Sequence, residues 1–179
     1  MEKPVKLIKR TKAYEGVILN VYDDEVEVKG NRTHWDFIHH DGAACVIPVN
    51  DDGKILMVRQ YRHALGRYTL ELPAGKVDAP DEPHIVCAKR ELEEETGYAS
   101  EDLVHLIDVN TTVAFCDEKI GVFVAKNLKK TQQNLDADEE IDVLALSIDE
   151  LVEKIYAYEI TDAKTIAGLL AYKSCLDNR

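Results

Sequence analysis

Four glutamates crowd into one short stretch of the sequence, where they can bind a divalent cation. The stretch is "RELEEETGY", Arg90–Tyr98, in a chain of 179 residues whose net charge is already −12. Like charges one helical turn apart repel each other and destabilise a helix. The preceding turn, "LPAGK", can expose backbone carbonyls beside the carboxylates, and oxygen ligands of this kind suit Mg²⁺ or Mn²⁺. Because no histidine or cysteine stands at metal-ligand spacing, zinc is disfavoured.

A helix from about Pro83 to Gly97 is expected to carry these glutamates. Its apolar residues recur at three and four positions, which predicts a stripe facing the core, made of Ile85, Ala88 and Leu92. Glycine at the end of such a pattern is typical of a helix C-terminus.

On that helix Glu91 and Glu95 are expected one turn apart on a neighbouring face, with Glu94 beside them. Arg90 lies within the group and can hold one carboxylate in a fixed bidentate geometry. The alternative interpretation is an ordinary solvated face of an acidic helix.

Length, charge and cysteine usage narrow the class of protein. A chain with 45% hydrophobic residues at this length predicts one compact domain with a small N-terminal appendage. Its net charge of −12 disfavours binding to nucleic acids or anionic membranes. The four cysteines stand far apart without a C-x-x-C pair, which predicts a reduced, cytoplasmic protein. No segment approaches the ~18 apolar residues of a membrane span.

The order of strand and helix patterns predicts an α/β fold, an α/β/α sandwich around a mixed sheet. Residues 5–39 contain four short β-like runs, which predict an additional small antiparallel sheet. The runs "AACVIPV" and "KILMVRQY" flank the turn "NDDG" and predict a hairpin. Ser147 and Glu150 form a capping-box pattern that opens a helix to about Tyr158, and a last helix is expected from about Asp162 to Cys175.

The segment Gly75–Tyr98, "GKVDAPDEPHIVCAKRELEEETGY", resembles the Nudix box, the signature of hydrolases that cleave nucleoside diphosphates linked to another group. The family pattern has five residues between its first glycine and first glutamate, whereas six separate Gly75 from Glu82 here. From Glu82 to Gly97 the spacing agrees with the pattern. The inserted residue therefore affects the shape of the loop more than the acidic cluster.

Most of the chain is similar to the ADP-ribose pyrophosphatase branch of that family, including the segments "DGAACVIPVNDDGKILMVRQYRHALGRYTLELPAGKVD" and "ITDAKTIAGLLAY". The resemblance implies Mg²⁺ bound by Glu91 and Glu95, with Glu94 as a further ligand or an adjacent group. It implies further ligands in the Ala74 carbonyl and in the loop "DADEEID". The loop positions that match a metal ligand or general base are Glu139 and Glu140, and the implied catalytic residues are Glu139, Glu140, Glu94 and Arg90.

Arginines and an aromatic residue are the candidates for substrate binding. Arg59, Arg62 and Arg67 cluster before the metal turn and can clamp a diphosphate, although Arg59 and Arg67 also suit the edge of a strand. The resemblance matches Arg62 to a phosphate contact. It also implies that Trp35 stacks on adenine and that Asp36 follows as a substrate contact, whereas a lone tryptophan is otherwise typical of a core or an interface.

The resemblance implies a homodimer in which residues 1–40 form an exchanged β-sheet region that contacts substrate, with the hydrolase domain in residues 41–179. The implied reaction splits ADP-ribose into AMP and ribose 5-phosphate. The segment "TTVAFCDE", Thr111–Glu118, departs from the proline-rich stretch usual in that branch. Two alternatives follow: hydrolysis of another nucleoside diphosphate sugar, and a ligand-sensing Nudix domain without catalysis, against which the intact acidic cluster argues.

Overall fold

The computed structural model describes residues 4–137 and 139–178. They form two compact units. The first contains the chain up to Gly42 together with Asn110–Lys119, and the second contains Ala43–Val109 and the chain from Ile120 onward. Residues 110–119 join the N-terminal strands, because the backbone N–H of Ile38 donates to the carbonyl of Phe115 at 2.7 Å. This arrangement was not predicted from the sequence.

The described residues form twelve strands and three helices. In chain order the strands are β1 (Val5–Glu15), β2 (Asn20–Val28), β3 (Asn31–His39), β4 (Ala43–Pro48), β5 (Ile55–Arg62), β6 (Arg67–Glu71), β7 (Ala74–Lys76), β8 (Tyr98–Ala99), β9 (Asp102–Asn110), β10 (Lys119–Lys126), β11 (Lys129–Lys130) and β12 (Ile141–Leu146). The helices are α1 (His84–Thr96), α2 (Ile148–Tyr156) and α3 (Ala163–Asp177), and a short 3-10 turn occupies His63–Leu65.

The N-terminal sheet is antiparallel, in the order β1-β2-β3. The prediction of an antiparallel sheet in this region is confirmed, but the four expected runs become three strands. The runs "GVILNVY" and "EVEVKG" contribute to a single strand, β2, because Asp23 and Asp24 between them continue the strand without a turn. The turn to β3 falls at Lys29 and Gly30, which both have positive φ.

The predicted hairpin around "NDDG" is wrong. Strand β4 belongs to a four-stranded sheet in the order β7-β4-β10-β9, whereas β5 belongs to a separate sheet in the order β12-β5-β6. At the turn the two segments are joined by an isolated bridge between Val49 and Ile55 and by the bond that the N–H of Asn50 donates to the carbonyl of Lys54. Beyond it β4 pairs in parallel with β10, because this neighbour lets both faces of β4 be covered.

Helices cover both faces of the sheet that contains β4. Ala43, Cys45 and Ile47 pack in one cluster with Leu151 of α2 and with Leu169 and Tyr172 of α3. The intervening Ala44 and Val46 pack with residues of α1, namely Cys87, Ala88 and Leu92. Since successive side chains of a strand point to opposite faces, this alternation gives the second unit the layered α/β/α arrangement.

The ends of the helices follow local signals in the sequence. Gly97 has φ 69° after α1, and its N–H donates to the carbonyl of Glu93. The capping box of Ser147 and Glu150 opens α2 as predicted. The Asp162 side chain accepts from the Thr165 N–H at the start of α3.

Candidate active site

Glu91 and Glu95 lie on the buried face of α1. Their residues are 8% and 3% exposed, beside the fully buried Ala88 and Leu92. From the sequence they were expected on a face next to the core stripe, with Ile85 within the stripe. Both assignments are wrong, because Ile85 is 39% exposed and the glutamates occupy the stripe themselves.

The room for a buried carboxylate comes from Gly75 on β7. A Cβ atom at this position would lie 2.0 Å from Oε1 of Glu91 and 2.5 Å from Oε2. No carboxylate can occupy that space beside a larger residue. The glycine of "LPAGK" therefore makes a cradle for the Glu91 side chain.

The same turn holds Glu95. The backbone N–H of Ala74 donates to Oε2 of Glu95 at 2.9 Å. The turn itself is anchored to β4, because the N–H of Val46 donates to the carbonyl of Pro73 at 2.9 Å. Both glutamates are thus positioned against one short segment, Pro73–Gly75.

Burial makes the charged forms of these carboxylates unfavourable. It raises the pKa of Glu91 to about 7, with Glu94 and Glu139 adding repulsion and Arg90 opposing the shift. Burial also raises the pKa of Glu95 to about 8, with repulsion from Glu91 next in size. A cation bound beside the pair would stabilise the charged carboxylates and relieve the repulsion between them.

Arg90 organises the rim of this site. Its Nη1 donates to Oε1 of Glu91 at 2.6 Å and to Oε2 of Glu94 at 3.1 Å. Its Nη2 donates to the carbonyl of Lys76 at 2.9 Å. Within residues 4–137 and 139–178, no group of three histidine, cysteine or acidic side chains is arranged to hold a metal ion as the side chains stand. The guanidinium bonds hold the carboxylates of Glu91 and Glu94 toward Arg90.

The loop after β11 brings Glu139 to the buried pair. The loop is tied to the end of α1, where Nε2 of Gln133 donates to the Glu95 carbonyl at 2.6 Å and the Asn134 N–H donates to the Glu94 carbonyl at 3.0 Å. The charge of Glu139 contributes to the raised pKa values of both Glu91 and Glu95. Glu139 and its neighbour Glu140 are both exposed. Gln133 carries no sequence signal, because its role depends on the loop's path.

Arg62 and Arg59 lie on β5 with different environments. Arg62 makes a bidentate ion pair with the buried Glu71, with Nε and Nη2 donating at 2.8 and 2.7 Å. Arg59 is more exposed, pairs with Asp142 at 3.2 Å, and lies over the ring of Tyr68. Glu71 was not among the predicted site residues, although an acidic residue inside the apolar run "YTLELPAG" is the signal that could have identified it.

Trp35 and Asp36 belong to the first unit. Trp35 is 47% exposed, so it is not a core residue in the described chain. It lines an open groove of about 710 Å³, together with Val21, His34, Asp36, Ile38, Ala114 and Phe115. Ala114 stands in the segment that departs from the pattern of the ADP-ribose branch, so that departure lies beside the tryptophan.

Comparison with known proteins decides the family. The family model of the NUDIX domain matches residues 39–169, which include the glycine cradle and all the glutamates described above. The chain belongs to the Nudix hydrolase family. In proteins of this family a divalent metal ion typically takes part in the reaction.

Several curated proteins resemble the chain over most of its length. It is 38% identical to a methanol dehydrogenase activator of Bacillus methanolicus, covering 92% of this chain and 90% of the relative. It is 36% identical to an ADP-ribose pyrophosphatase of Bacillus subtilis, covering 89% and 88%, and 34% identical to one of Mycobacterium tuberculosis, covering 88% and 78%. The chain is thus an ADP-ribose pyrophosphatase-like Nudix hydrolase.

A solved structure shows the same Nudix fold. The crystal structure of an ADP compounds hydrolase superposes with a TM-score of 0.86, covering 98% of this chain and 96% of the other, at 19% sequence identity. At this identity the likeness concerns the fold alone. Among the described residues, no helix is both long and apolar enough to cross a membrane.

The site fits the metal that the family uses. The candidate ligands are the carboxylate oxygens of the glutamates and the backbone oxygens of the turn. Mg²⁺ and Mn²⁺ prefer oxygen ligands of these kinds. The absence of a side chain at Gly75 makes room for the Glu91 carboxylate, and the raised pKa values of Glu91 and Glu95 mark buried acids whose charged forms a cation would stabilise. These features favour a divalent cation rather than a neutral ligand.

Mg²⁺ should raise the melting temperature of the protein more at pH 8 than at pH 6. A carboxylate whose pKa is raised on folding keeps protons that the unfolded chain has released, so the free energy of unfolding falls as the pH rises from about 4.5 to about 8. Metal binding needs the deprotonated carboxylates, so its stabilisation grows over the same range. We expect a shift on the order of 5 °C at pH 8, measured by calorimetry against a chelator.

The pH dependence without metal needs a control, because Asp117 raises the pKa of His39 and this adds a change of the same sign. Glu95→Gln removes one of the two carboxylates and should flatten the fall in melting temperature between pH 5 and pH 8. Equal effects of Mg²⁺ at pH 6 and pH 8 would show that these carboxylates do not bind it.

Proposed function

We propose that the chain hydrolyses ADP-ribose to AMP and ribose 5-phosphate. The observation that carries the proposal is the pair of buried carboxylates, Glu91 and Glu95, held against Pro73–Gly75 in the second unit. The two relatives that are ADP-ribose pyrophosphatases support the substrate. The alternative is a domain that senses a ligand without catalysis. A domain of that kind does not need a complete acidic cluster, so the intact cluster favours the hydrolase.

The proposed ligands of Mg²⁺ or Mn²⁺ are Glu91, Glu95, Glu94 and the carbonyl of Ala74. When bound, the ion neutralises phosphate charge and lowers the pKa of a water molecule. Arg90 positions Glu91 and Glu94 by donating to both and to the carbonyl of Lys76. These bonds fix the orientation of two proposed ligands, Glu91 and Glu94, from the side on which Arg90 lies.

Glu139 is the proposed general base, which takes the proton from the attacking water. It is exposed, so its carboxylate is accessible to water, and its charge already acts on the buried pair. Glu140, the neighbouring candidate, has the role of base only if the loop turns it inward. Comparing the pH profiles of kcat in Glu139→Gln and Glu140→Gln distinguishes the two, since only the base variant loses the acidic limb.

The substrate contacts proposed from the resemblance are Arg62 and Arg59 for the diphosphate and Trp35 and Asp36 for the nucleoside. The side chains of Arg62 and Arg59 are 39% and 45% exposed. Trp35 presents its ring to an open groove in the first unit, and a planar exposed ring suits stacking on a base. Trp35 thus offers recognition of the base.

A product assay tests the proposed function. The purified chain is incubated with Mg²⁺ and ADP-ribose, and the phosphate released by an added phosphatase is measured. Other nucleoside diphosphate sugars run in parallel, because Ala114 beside Trp35 favours examining this second substrate class. Faster turnover of another sugar nucleotide would replace ADP-ribose, and no turnover of any would contradict the hydrolase assignment.

Trp35→Ala should raise KM for ADP-ribose about 10- to 100-fold, with a smaller change in kcat. Stacking on a base contributes ~1–3 kcal/mol, and it stabilises ground and transition states alike when it lies far from the reacting phosphorus. Steady-state kinetics measure both constants. Because Trp35 is the only tryptophan, its fluorescence also reports binding directly.

Phe115→Ala is the matched control, because it removes another ring of the same groove that carries no assigned stacking role. If the role of Trp35 is purely structural, Trp35→Ala should lower the melting temperature and leave KM unchanged in the protein that stays folded. Fluorescence that stays constant while calorimetry shows ADP-ribose binding would also exclude the stacking role.

We further propose that residues 1–40 form the contact between two copies of the chain. Val26 is the only fully buried apolar residue among the described residues of the N-terminal sheet, whereas Tyr14, Val17 and Ile18 are 61%, 98% and 62% exposed. A three-stranded sheet with so little core needs a partner surface. The chain is therefore proposed to act as a homodimer.

The dimer should appear in light scattering as a mass near twice 20.2 kDa at micromolar concentration. Deleting residues 1–38 should give monomers or aggregates with weak substrate binding, since the sheet then no longer covers its partner. A monomer of the full chain would contradict the proposed contact.

A further inference from the structure

A buried cluster of charges lies behind Arg62 in the second unit. Glu71 is 3% exposed and accepts from Nε and Nη2 of Arg62 at 2.8 and 2.7 Å. It also accepts from Nζ of Lys164 and from Oγ1 of Thr69, both at 2.6 Å. Four donated bonds fix the rotation of this carboxylate, so the direction of the Arg62 guanidinium is fixed with it.

Lys164 comes from the first turn of α3, which is attached to the end of β6. Its Nζ also donates to Asp162 at 2.9 Å, and the side chain of Asp162 caps the N–H of Thr165 at 3.0 Å. Oγ1 of Thr165 in turn accepts from the N–H of Leu72 at 2.9 Å. The turn therefore connects the carboxyl cluster to the strand end that leads into Ala74.

The two cations of this cluster differ in what they can reach. The Lys164 side chain is 12% exposed and donates to two carboxylates, so it is not placed to bind a substrate. The Arg62 side chain is 39% exposed, and its Nη1 has no hydrogen-bond partner among the described residues. Arg62 can thus donate from Nη1 to an anion while its Nε and Nη2 stay bonded to Glu71.

Charge balance gives Lys164 its effect on Arg62. Arg62 and Lys164 carry two positive charges against the two negative charges of Glu71 and Asp162. Without Lys164 the carboxylate of Glu71 would be neutralised by Arg62 alone. With one of its four donors gone, the Glu71 carboxylate could rotate, and the guanidinium paired with it would lose its fixed orientation.

We propose that Lys164 is a positioning residue, which fixes Glu71 so that Arg62 presents its guanidinium to the diphosphate of the substrate. This inference rests on the proposed function, since it takes Arg62 as a substrate contact. It adds a residue from the distant C-terminal helix to the substrate-binding machinery. The expected signature is a loss of substrate affinity that depends on Arg62.

A double-mutant cycle tests the proposal. Lys164→Met removes the charge but keeps much of the length, and it should raise KM for ADP-ribose about tenfold while kcat changes by less than about threefold. In an Arg62→Ala background the same substitution should change KM by less than about twofold, because the residue through which it acts is gone. Lys164→Arg, which keeps the charge, should restore part of the affinity.

Lys173→Met is the matched control, because Lys173 lies on the same helix and pairs with Asp177 at 2.6 Å away from this cluster. It should leave KM unchanged. If Lys164→Met does not fold, Thr69→Val removes another bond to Glu71 and should raise KM in the same Arg62-dependent way. An unchanged KM in the folded variants, or an equal rise in the Arg62→Ala background, would overturn the proposal.

Failure of the proposed function is recognised separately. If the unmodified chain does not hydrolyse ADP-ribose, the substrate is wrong, and the cycle is run with the nucleoside diphosphate sugar that the product assay identifies. A diphosphate is all that the Arg62 contact needs. If the unmodified chain is active and the cycle is additive, only the role of Lys164 is wrong.

Discussion

Glu95→Gln should lower kcat for ADP-ribose by about 10²–10³-fold while the protein stays folded. Glutamine has nearly the same shape, and its side-chain oxygen can still accept from the Ala74 N–H that now donates to Glu95 at 2.9 Å. The substitution removes one negative charge from a site that is proposed to hold a divalent cation. Activity at saturating substrate and Mg²⁺ is therefore the quantity that should fall.

Stability should change in the opposite direction from activity. Burial raises the pKa of Glu95 to about 8, with the charge of Glu91 adding repulsion, so a neutral side chain relieves an unfavourable interaction. In the presence of a chelator the melting temperature of Glu95→Gln should equal or exceed that of the unmodified chain at pH 8. The stabilisation by Mg²⁺ should be smaller in the variant.

Glu93→Gln is the matched control, since it makes the same chemical change on the same helix at an exposed position. It should leave kcat and the response to Mg²⁺ unchanged. Near-normal kcat in Glu95→Gln at saturating Mg²⁺ would exclude Glu95 as a metal ligand. Equal losses in both variants would point to a general effect of helix charge instead.

Signals that depend on neighbouring residues predicted the helices well. The capping box of Ser147 and Glu150 marks the start of α2, and Gly97 marks the end of α1 with φ 69°. Both features are local, because the side chain or the backbone angle acts within one turn. Where the chain forms helices could therefore be predicted from sequence.

The face that each helix buries was harder to predict, because it depends on the opposing segment. The apolar period puts Ile85 in the core, yet it is 39% exposed, whereas Glu91 is 8% exposed. A carboxylate is buried here only because Gly75 lacks a side chain opposite it. The acidic residues of the site were identified from their types and from the resemblance, but their burial was not.

Contacts between residues far apart in the chain were the hardest to predict from the sequence. Lys164 meets Glu71 across 93 positions, and neither residue stands in a pattern that indicates the other. The strands β4 and β5 flank a good turn sequence, but they enter different sheets, because β10 provides the neighbour that covers β4. Such pairings follow from the packing of the whole unit.

Gly75→Ala should reduce kcat/KM for ADP-ribose by at least about tenfold with little loss of stability. The added Cβ would lie 2.0 Å from Oε1 of Glu91, the end of a flexible side chain, so the clash is relieved by displacing this carboxylate. Gly75 does not adopt the left-handed conformation, so alanine does not strain its backbone. The displaced carboxylate would also lose its 2.6 Å bond from Arg90.

Gly53→Ala provides the opposite pattern as a control. Gly53 has φ 75° with no atom within 4 Å of an added Cβ, so alanine there should lower the melting temperature and leave activity unchanged.

A second test asks whether Gly75→Ala acts through Glu91. Adding it to Glu91→Asp, whose shorter side chain leaves more room, should cost little beyond Glu91→Asp alone. Full activity of Gly75→Ala, or losses that simply multiply in the double variant, would show that the glycine does not make room for this carboxylate.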